Sequence, residues 1–152
     1  MTREPQGSEP LRIWAFSDAH VGTDLAHGRK SLADALRQSE GPDGFAWDVA
    51  VNLGDASGTQ GPPDDAEGAE VVRQYGALRE HRREQIYDLG GNHDRSDIGQ
   101  PEGAWVDRWL DPTGSHPETS GVRSDRRPYP VDGTWERYAV RMGNILVMLM
   151  SD

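Results

Sequence analysis

The sequence predicts an α/β fold, because strand-like and helix-like segments alternate from residue 11 to residue 89. Short apolar, β-branched or aromatic runs at residues 11–16, 49–53 and 86–89 are typical of buried strands. Polar residues follow each run, and their spacing is regular: 37 residues separate Asp18 from Asp55, and 37 separate Asp55 from Asn92. Each gap is long enough for the crossover helix that joins parallel strands.

Residues 1–10, before the first strand, form a polar lead-in that we expect to be disordered. Two helices are predicted between the strands. Residues 29–39 have apolar positions three and four apart, and Gly41-Pro42 ends the pattern. The second helix, residues 66–84, follows two acidic residues that suit a helix N-terminus. The order is therefore strand, helix, strand, helix, strand.

The second part of the chain is less regular. Trp105, Val106 and Trp109 predict a short helix packed on the core. Residues 111–133 are rich in Pro, Gly, Ser and Arg and predict a long loop. Residues 134–142 and 145–150 then predict a hairpin whose second, apolar strand is buried. Because the chain stops directly after that strand, we expect residues 11–152 to be the N-terminal portion of a larger domain.

The composition excludes several classes of function. A formal net charge of −10 argues against a protein that coats nucleic acid or an anionic membrane, since both need clustered Lys and Arg. The absence of Cys excludes disulfides and thiol chemistry. No apolar run approaches the roughly 20 residues that span a bilayer, and the N-terminus does not read as a signal peptide. We expect a soluble, cytoplasmic protein that has no membrane partner and meets nucleic acid only as a substrate.

Three polar motifs stand where the predicted strands end. They are Asp18-Ala19-His20, Gly54-Asp55 and Gly91-Asn92-His93-Asp94. Ligands of open α/β sheets bind at the carboxyl ends of the strands, so the motifs are expected to share one site. Carboxylate, imidazole and amide ligands suit divalent Mn, Fe, Zn or Mg. The motifs therefore predict a hydrolytic metal centre.

In this order, the motifs resemble those of the calcineurin-like metallophosphoesterase family, over residues 11 to 94. The resemblance implies a sandwich of mixed β-sheet with flanking helices, and two divalent ions that hydrolyse phosphate mono- or diesters. It implies Asp18 and His20 as ligands of the first ion, Asp55 as the bridging ligand and Asn92 as a ligand of the second. His93 would donate to the phosphate or the leaving group, and Asp94 would orient His93.

The sequence also departs from the family pattern. The later histidine and the Gly-His-x-His run that complete both metal shells in the family do not occur here. We therefore expect this chain to hold metal weakly and to hydrolyse little. The Asp-Arg pair that follows the second motif in Ser/Thr protein phosphatases is also missing, which leaves the substrate open. The alternatives are a metal-poor, inactive protein-binding scaffold of the same fold, and a nuclease of the same family.

Other candidate residues carry weaker signals. His27 and Arg95 lie near motifs and could approach a substrate, and His116 could complete the second metal shell. His81 is expected on a solvated helix face. Arg123, Arg126 and Arg127 are expected to form a solvated basic patch.

Overall fold

A parallel three-stranded sheet forms the centre of the protein. The computed structural model describes residues 10–95 and 104–151. Strands β1 (Ile13–Phe16), β2 (Val49–Asn52) and β3 (Ile86–Asp88) lie in the order β1-β2-β3, all parallel. The strands end together, with Phe16 beside Asn52 and Asn52 beside Asp88. This sheet and its helices confirm the predicted α/β class. The three motifs come after the carboxyl ends of the three strands, at one edge of the sheet.

Three helices cover one face of the parallel sheet. They are α1 (Val21–Ala26), α2 (Ser31–Ser39) and α3 (Asp65–Tyr75). Their apolar side chains pack with Ala50 and Ile86 of the sheet, and Trp105 and Trp109 extend the same core. The predicted short helix is present as a π-helical turn over Val106–Leu110.

The predicted helix over residues 66–84 is wrong in its second half. Helix α3 ends at Tyr75 and is followed by Gly76. The Glu40 carboxylate accepts the backbone N–H groups of Arg79, Glu80 and His81, 39 to 41 residues away in the chain. This contact with distant sequence holds the segment in a turn, and a 3₁₀ turn at Arg83–Gln85 leads into β3.

A second, antiparallel sheet lies against the other face of the parallel sheet. Its strands are β4 (Val131–Gly133), β5 (Arg137–Met142) and β6 (Ile145–Met150), in that order. Tyr138, Val140 and Leu149 share a buried cluster with Val51 and Tyr87. The molecule is therefore a mixed α/β structure with two small sheets.

Strand β6 is not the buried strand that its composition predicts. Leu149 is buried and Val147 is half-buried, but Leu146 is 51% and Met148 is 69% exposed. Alternate side chains of a strand point to opposite faces. Only the inner face of β6 meets the core, and its outer face is apolar and uncovered by the described residues.

The predicted long loop at residues 111–133 contains ordered structure. It includes α4 (Pro117–Ser120), a 3₁₀ turn at Ser124–Arg126 and strand β4. Buried Asp111 accepts the N–H groups of Ser115 and His116. Arg127, predicted in a solvated patch, is buried and donates to the carbonyl groups of Ile86 and Pro112. These internal polar contacts order the segment. It has no periodic pattern of apolar residues, and such a pattern is the signal from which helices and strands are predicted.

Residues 1–9 of the predicted disordered lead-in lie outside the described residues. Among residues 10–95 and 104–151, no helix is long and apolar enough to cross a membrane.

Candidate metal centre

The backbone joins the first two motif loops at the carboxyl edge of the parallel sheet. The N–H groups of Asp18, His20 and Val21 donate to the carbonyl oxygens of Gly54, Asp55 and Ala56, at 3.1, 3.1 and 2.9 Å. This ladder continues the β1–β2 pairing beyond the strands. It brings the first two motifs to one place, as we expected from their positions after neighbouring strands.

Three motif residues adopt a left-handed backbone. The φ angles of Asp18, His20 and Asp55 are 58°, 47° and 55°. This conformation is uncommon for residues other than Gly, and such residues cluster at functional sites. All three residues lie in the loops that follow strands β1 and β2.

One residue from each motif contributes to a cluster that could bind a metal. Candidate ligand atoms of His20, Asp55 and His93 all lie within 4.8 Å of one another. The His20 Nε2 atom is 3.7 Å from Asp18 Oδ1 and 3.9 Å from Asp55 Oδ2. Of the four predicted metal ligands, Asp18, His20 and Asp55 are thus neighbours.

The environment of His20 fits a cation. Its Nε2 atom is buried and has no hydrogen-bond partner among the described residues, although it faces two carboxylates. A buried polar atom without a partner is costly. Imidazole nitrogen with carboxylate oxygen is a donor set suited to a divalent transition metal. The residues present therefore fit the implied ion.

The predicted bridging residue, Asp55, lies between the second and third motifs. Its Oδ1 atom accepts the backbone N–H of His93 at 3.1 Å. A Cβ atom added at Gly91 would overlap the same oxygen, so only glycine leaves room for this carboxylate. Gly54, with a φ of 109°, packs closely against Gly91. Gly54 and Gly91 therefore allow the second and third motif loops to approach each other closely.

Asn92, the fourth predicted ligand, begins the 3₁₀ turn Asn92–Asp94 that follows β3. It is exposed and lines a cavity of about 280 Å³ together with Asp18 and Asp55. The cavity opens at the sheet edge, beside the ends of β1, β2 and β3. Asn92 therefore shares a space with two predicted ligands.

Asp94 does not occupy the position predicted for it beside the His93 ring. Its buried carboxylate accepts three backbone N–H groups, from Gly91 at 2.9 Å, Ala56 at 3.3 Å and Ser57 at 2.8 Å. Burial raises the pKa of the Asp94 carboxyl to about 6, although these donors act in the opposite direction. Asp94 ties the second motif loop to the third.

The carbonyl oxygen of Thr59 orients the His93 ring instead. The Nδ1 atom of His93 lies 2.7 Å from that oxygen. A carbonyl only accepts, so Nδ1 carries the proton and a neutral ring has a lone pair on Nε2. His93 can then bind a metal or accept a proton through Nε2, and it donates from Nε2 only as an imidazolium.

Glu67 is a positioning residue that the sequence analysis missed. From the first turn of α3, its Oε1 atom accepts the N–H groups of Gly22 at 3.0 Å and Gly58 at 2.8 Å. It thereby links the segments that follow the first two motifs. No sequence signal distinguishes it from the other acidic residues at the start of α3.

The remaining histidines lie in local contacts of their own. His81 was predicted to point to solvent, but it is half-buried, stacks on Trp47 at 3.5 Å and contacts Glu40 and the Trp47 carbonyl. His116 contacts Asp107 at 3.1 Å. His27 contacts the carbonyl of Thr23 at 2.8 Å. None of these three belongs to the His20, Asp55 and His93 cluster.

Comparison of the chain with protein-family models and with curated proteins found no match.

Proposed function

We propose that this chain hydrolyses phosphate mono- or diesters with the help of two divalent metal ions. The observation that carries the proposal is the convergence of His20, Asp55 and His93 at the carboxyl edge of the parallel sheet. The nearby Asp18 supports it, and so does the His20 Nε2 atom, which has no hydrogen-bond partner in the part of the chain that the structure describes.

The proposed ligands follow from the donor atoms at the site. Asp18, His20 and Asp55 would hold the first ion, and Asp55 and Asn92 the second. Bound divalent ions would supply a nucleophilic water at neutral pH and relief of charge on the phosphoryl oxygens. Asp55 is placed for a shared role because its neighbours come from both flanking motifs.

His93 is the proposed group for contact with the substrate. The Thr59 carbonyl fixes its ring through Nδ1 and leaves Nε2 available. As an imidazolium, the ring can donate the Nε2 proton to the leaving oxygen while the P–O bond breaks. As a neutral ring, it can accept a proton from water or bind metal.

The arrangement of layers also supports the resemblance to calcineurin-like metallophosphoesterases. Helices pack on one face of the parallel sheet, and a second sheet packs on the other. We propose that this is the sandwich that the motifs imply, with the metal centre at the carboxyl edge of its parallel strands.

Hydrolysis assays with p-nitrophenyl phosphate and bis(p-nitrophenyl) phosphate in the presence of Mn²⁺ test the proposal. We expect slow, chelator-sensitive hydrolysis that Asp55→Ala abolishes. Asp125→Ala is the matched control, because Asp125 is an exposed aspartate paired with Arg123. Equal rates for the wild type and Asp55→Ala would refute the proposal and favour the scaffold alternative.

A further inference from the structure

Two neighbouring strands of the parallel sheet end in buried polar residues. Asn52 is the last residue of β2 and is 1% exposed, and Asp88 is the last residue of β3 and is fully buried. The Asn52 Nδ2 group donates to Asp88 Oδ1 at 3.1 Å. The Gly54-Asp55 motif begins two residues after Asn52, so this contact lies next to the loop that carries the proposed bridging ligand.

The other end of the Asn52 amide binds the motif loop. Its Oδ1 atom accepts the backbone N–H of Gly54 at 3.2 Å. Because a backbone N–H only donates and a carboxylate only accepts, one orientation of the amide satisfies both neighbours. Gly54 has a φ of 109°, and its carbonyl oxygen accepts the N–H of Asp18 at 3.1 Å. One amide group therefore joins β3 to the residue that precedes Asp55 and pairs with Asp18.

The Asp88 carboxylate is held from its other side. Its Oδ2 atom lies 2.6 Å from Arg83 Nη2, and its Oδ1 atom accepts the Tyr75 hydroxyl at 2.6 Å. The guanidinium of Arg83 also lies over the Tyr75 ring, 3.9 Å from its centroid. These contacts fix the carboxylate, which in turn fixes the orientation of the Asn52 amide.

Stability alone does not account for this network. Replacing a buried ion pair with well-packed apolar residues is often neutral or stabilising, because desolvation of the charges offsets their attraction. The other residues of β2 are Val and Ala, so an apolar residue at position 52 would suit the strand. What an apolar residue could not do is accept the Gly54 N–H.

We infer that Asn52 is a positioning residue of the candidate metal centre, which sets the place of Asp55 through the Gly54 N–H. The inference rests on the proposed function, because it concerns the residue that would bridge the two ions. Asn52 acts only through the loop, since its amide is taken up by Gly54, Asp88 and Tyr75. Without this amide, the Gly54 N–H loses its acceptor and the ligands are held less firmly for the ion.

Mn²⁺ titration of two matched variants tests the inference. Asn52→Leu replaces the amide with an apolar side chain of similar volume and should weaken Mn²⁺ binding by about tenfold, a usual loss when the support of a metal ligand is removed. Gln74→Met is the control. Gln74 is also a fully buried amide, which accepts the Ala33 N–H at 3.1 Å and donates to the Glu70 carboxylate at 3.0 Å. This variant should lower the free energy of unfolding similarly but leave Mn²⁺ affinity unchanged, because Gln74 shares no partner with the motif loops.

Two further measurements separate positioning from folding. Co²⁺ absorption depends on the arrangement of the ligands, so Asn52→Leu should alter the spectrum of the Co²⁺-loaded protein and Gln74→Met should not. The double variant Asn52→Asp with Asp88→Asn keeps one amide, one carboxylate and an acceptor for the Gly54 N–H. We expect it to bind Mn²⁺ more tightly than Asn52→Leu does.

The outcomes separate this inference from the proposed function. Wild-type Mn²⁺ affinity in Asn52→Leu, or an equal loss in Asn52→Leu and Gln74→Met, overturns the inference alone, because the network would then be purely structural. A folded double variant that binds no more tightly than Asn52→Leu also overturns it. Absence of saturable Mn²⁺ binding by the wild type overturns both. If Asn52→Leu does not fold, Asn52→Ala carries the same prediction, because it also removes the acceptor.

Discussion

At the scale of single residues, the roles of His93 and Asp94 are distinct. The motif predicts a pair in which Asp94 orients His93, yet the Thr59 carbonyl contacts His93 Nδ1 and Asp94 binds three backbone amides. A peptide carbonyl gives no sequence signal, because every residue has one. His93 is therefore oriented by a neutral acceptor, and Asp94 stabilises the loops around it.

Replacement of His93 tests its proposed contact with the leaving group. In a protein supplied with Mn²⁺, His93→Ala should lower kcat by about 10²–10⁴-fold for alkyl phosphates, the usual size of general acid assistance. The loss should be smaller for p-nitrophenyl esters, whose leaving group needs no proton. Steady-state kinetics over a series of leaving groups measures the trend.

An equal loss for all leaving groups would contradict an acid role and leave His93 as a positioning donor. Because candidate ligand atoms of His93, His20 and Asp55 lie close together, the metal content of the variant must be measured as well. Loss of metal in parallel with activity would identify His93 as a ligand.

At the scale of elements, the site is formed by the loops that follow β1, β2 and β3, and hydrogen bonds join these loops. The first two share a backbone ladder, and the carboxylates of Glu67 and Asp94 bind amides across the loops. Backbone N–H groups away from water need acceptors, and these carboxylates provide them where no strand partner is present. The geometry of the metal ligands is thus a property of the joined loops.

Gly91→Ala is expected to disturb this arrangement at Asp55. The added Cβ overlaps Asp55 Oδ1 and lies only 2.7 Å from the Asp55 backbone nitrogen, so Asp55 must move away from its neighbours. We expect the affinity for Mn²⁺ to fall by at least about tenfold, or about 1.4 kcal/mol. Gly61→Ala is the control, since a Cβ there meets nothing within 4 Å. Metal titration measures both variants, and equal affinities would show that Asp55 does not bind the ion.

The turn at residues 79–81 makes a pH-dependent contribution to stability. Burial acts to raise the pKa of Glu40, but the hydrogen bonds from His81, Arg79 and Glu80 outweigh it and hold that pKa below its usual value. A depressed carboxyl pKa stabilises the fold above the unfolded-state value of about 4.3, and this stabilisation is lost as the pH falls through the folded-state pKa.

Glu40→Gln should therefore lower the free energy of unfolding by about 1–3 kcal/mol at pH 7, the usual worth of hydrogen bonds to a charged group. The difference from the wild type should shrink below about pH 4, where the carboxylate becomes protonated. Glu80→Gln, in the same turn with an exposed side chain, should have little effect. Urea denaturation across pH measures this, and a difference that does not vary with pH would contradict the account.

At the scale of the whole molecule, the sequence predicts the parallel sheet and the place of the motifs well. Buried strands have continuous apolar runs, and polar residues at their ends indicate one edge. Contacts between distant segments could not be predicted in the same way. The end of α3 depends on Glu40, and the ordered segment after residue 110 depends on buried Asp111 and Arg127. Neither contact leaves a periodic pattern.

Strand β6 shows a different limit of sequence analysis. Its run of apolar residues predicts burial, but composition does not reveal which face meets another layer. The structure buries Leu149 against the parallel sheet and leaves Met148 exposed. The exposed end of this strand at Met150 then becomes part of the cavity beside the candidate site.

The central claim, a divalent metal site built by three strand-end motifs, is tested most directly by equilibrium dialysis against Mn²⁺ followed by elemental analysis. We predict saturable binding in the wild type and in Asp125→Ala, and none in Asp55→Ala. Because few ligands are available, the bound ions should be lost on dialysis into metal-free buffer. Equal Mn²⁺ content in the wild type and Asp55→Ala at every concentration would contradict the account.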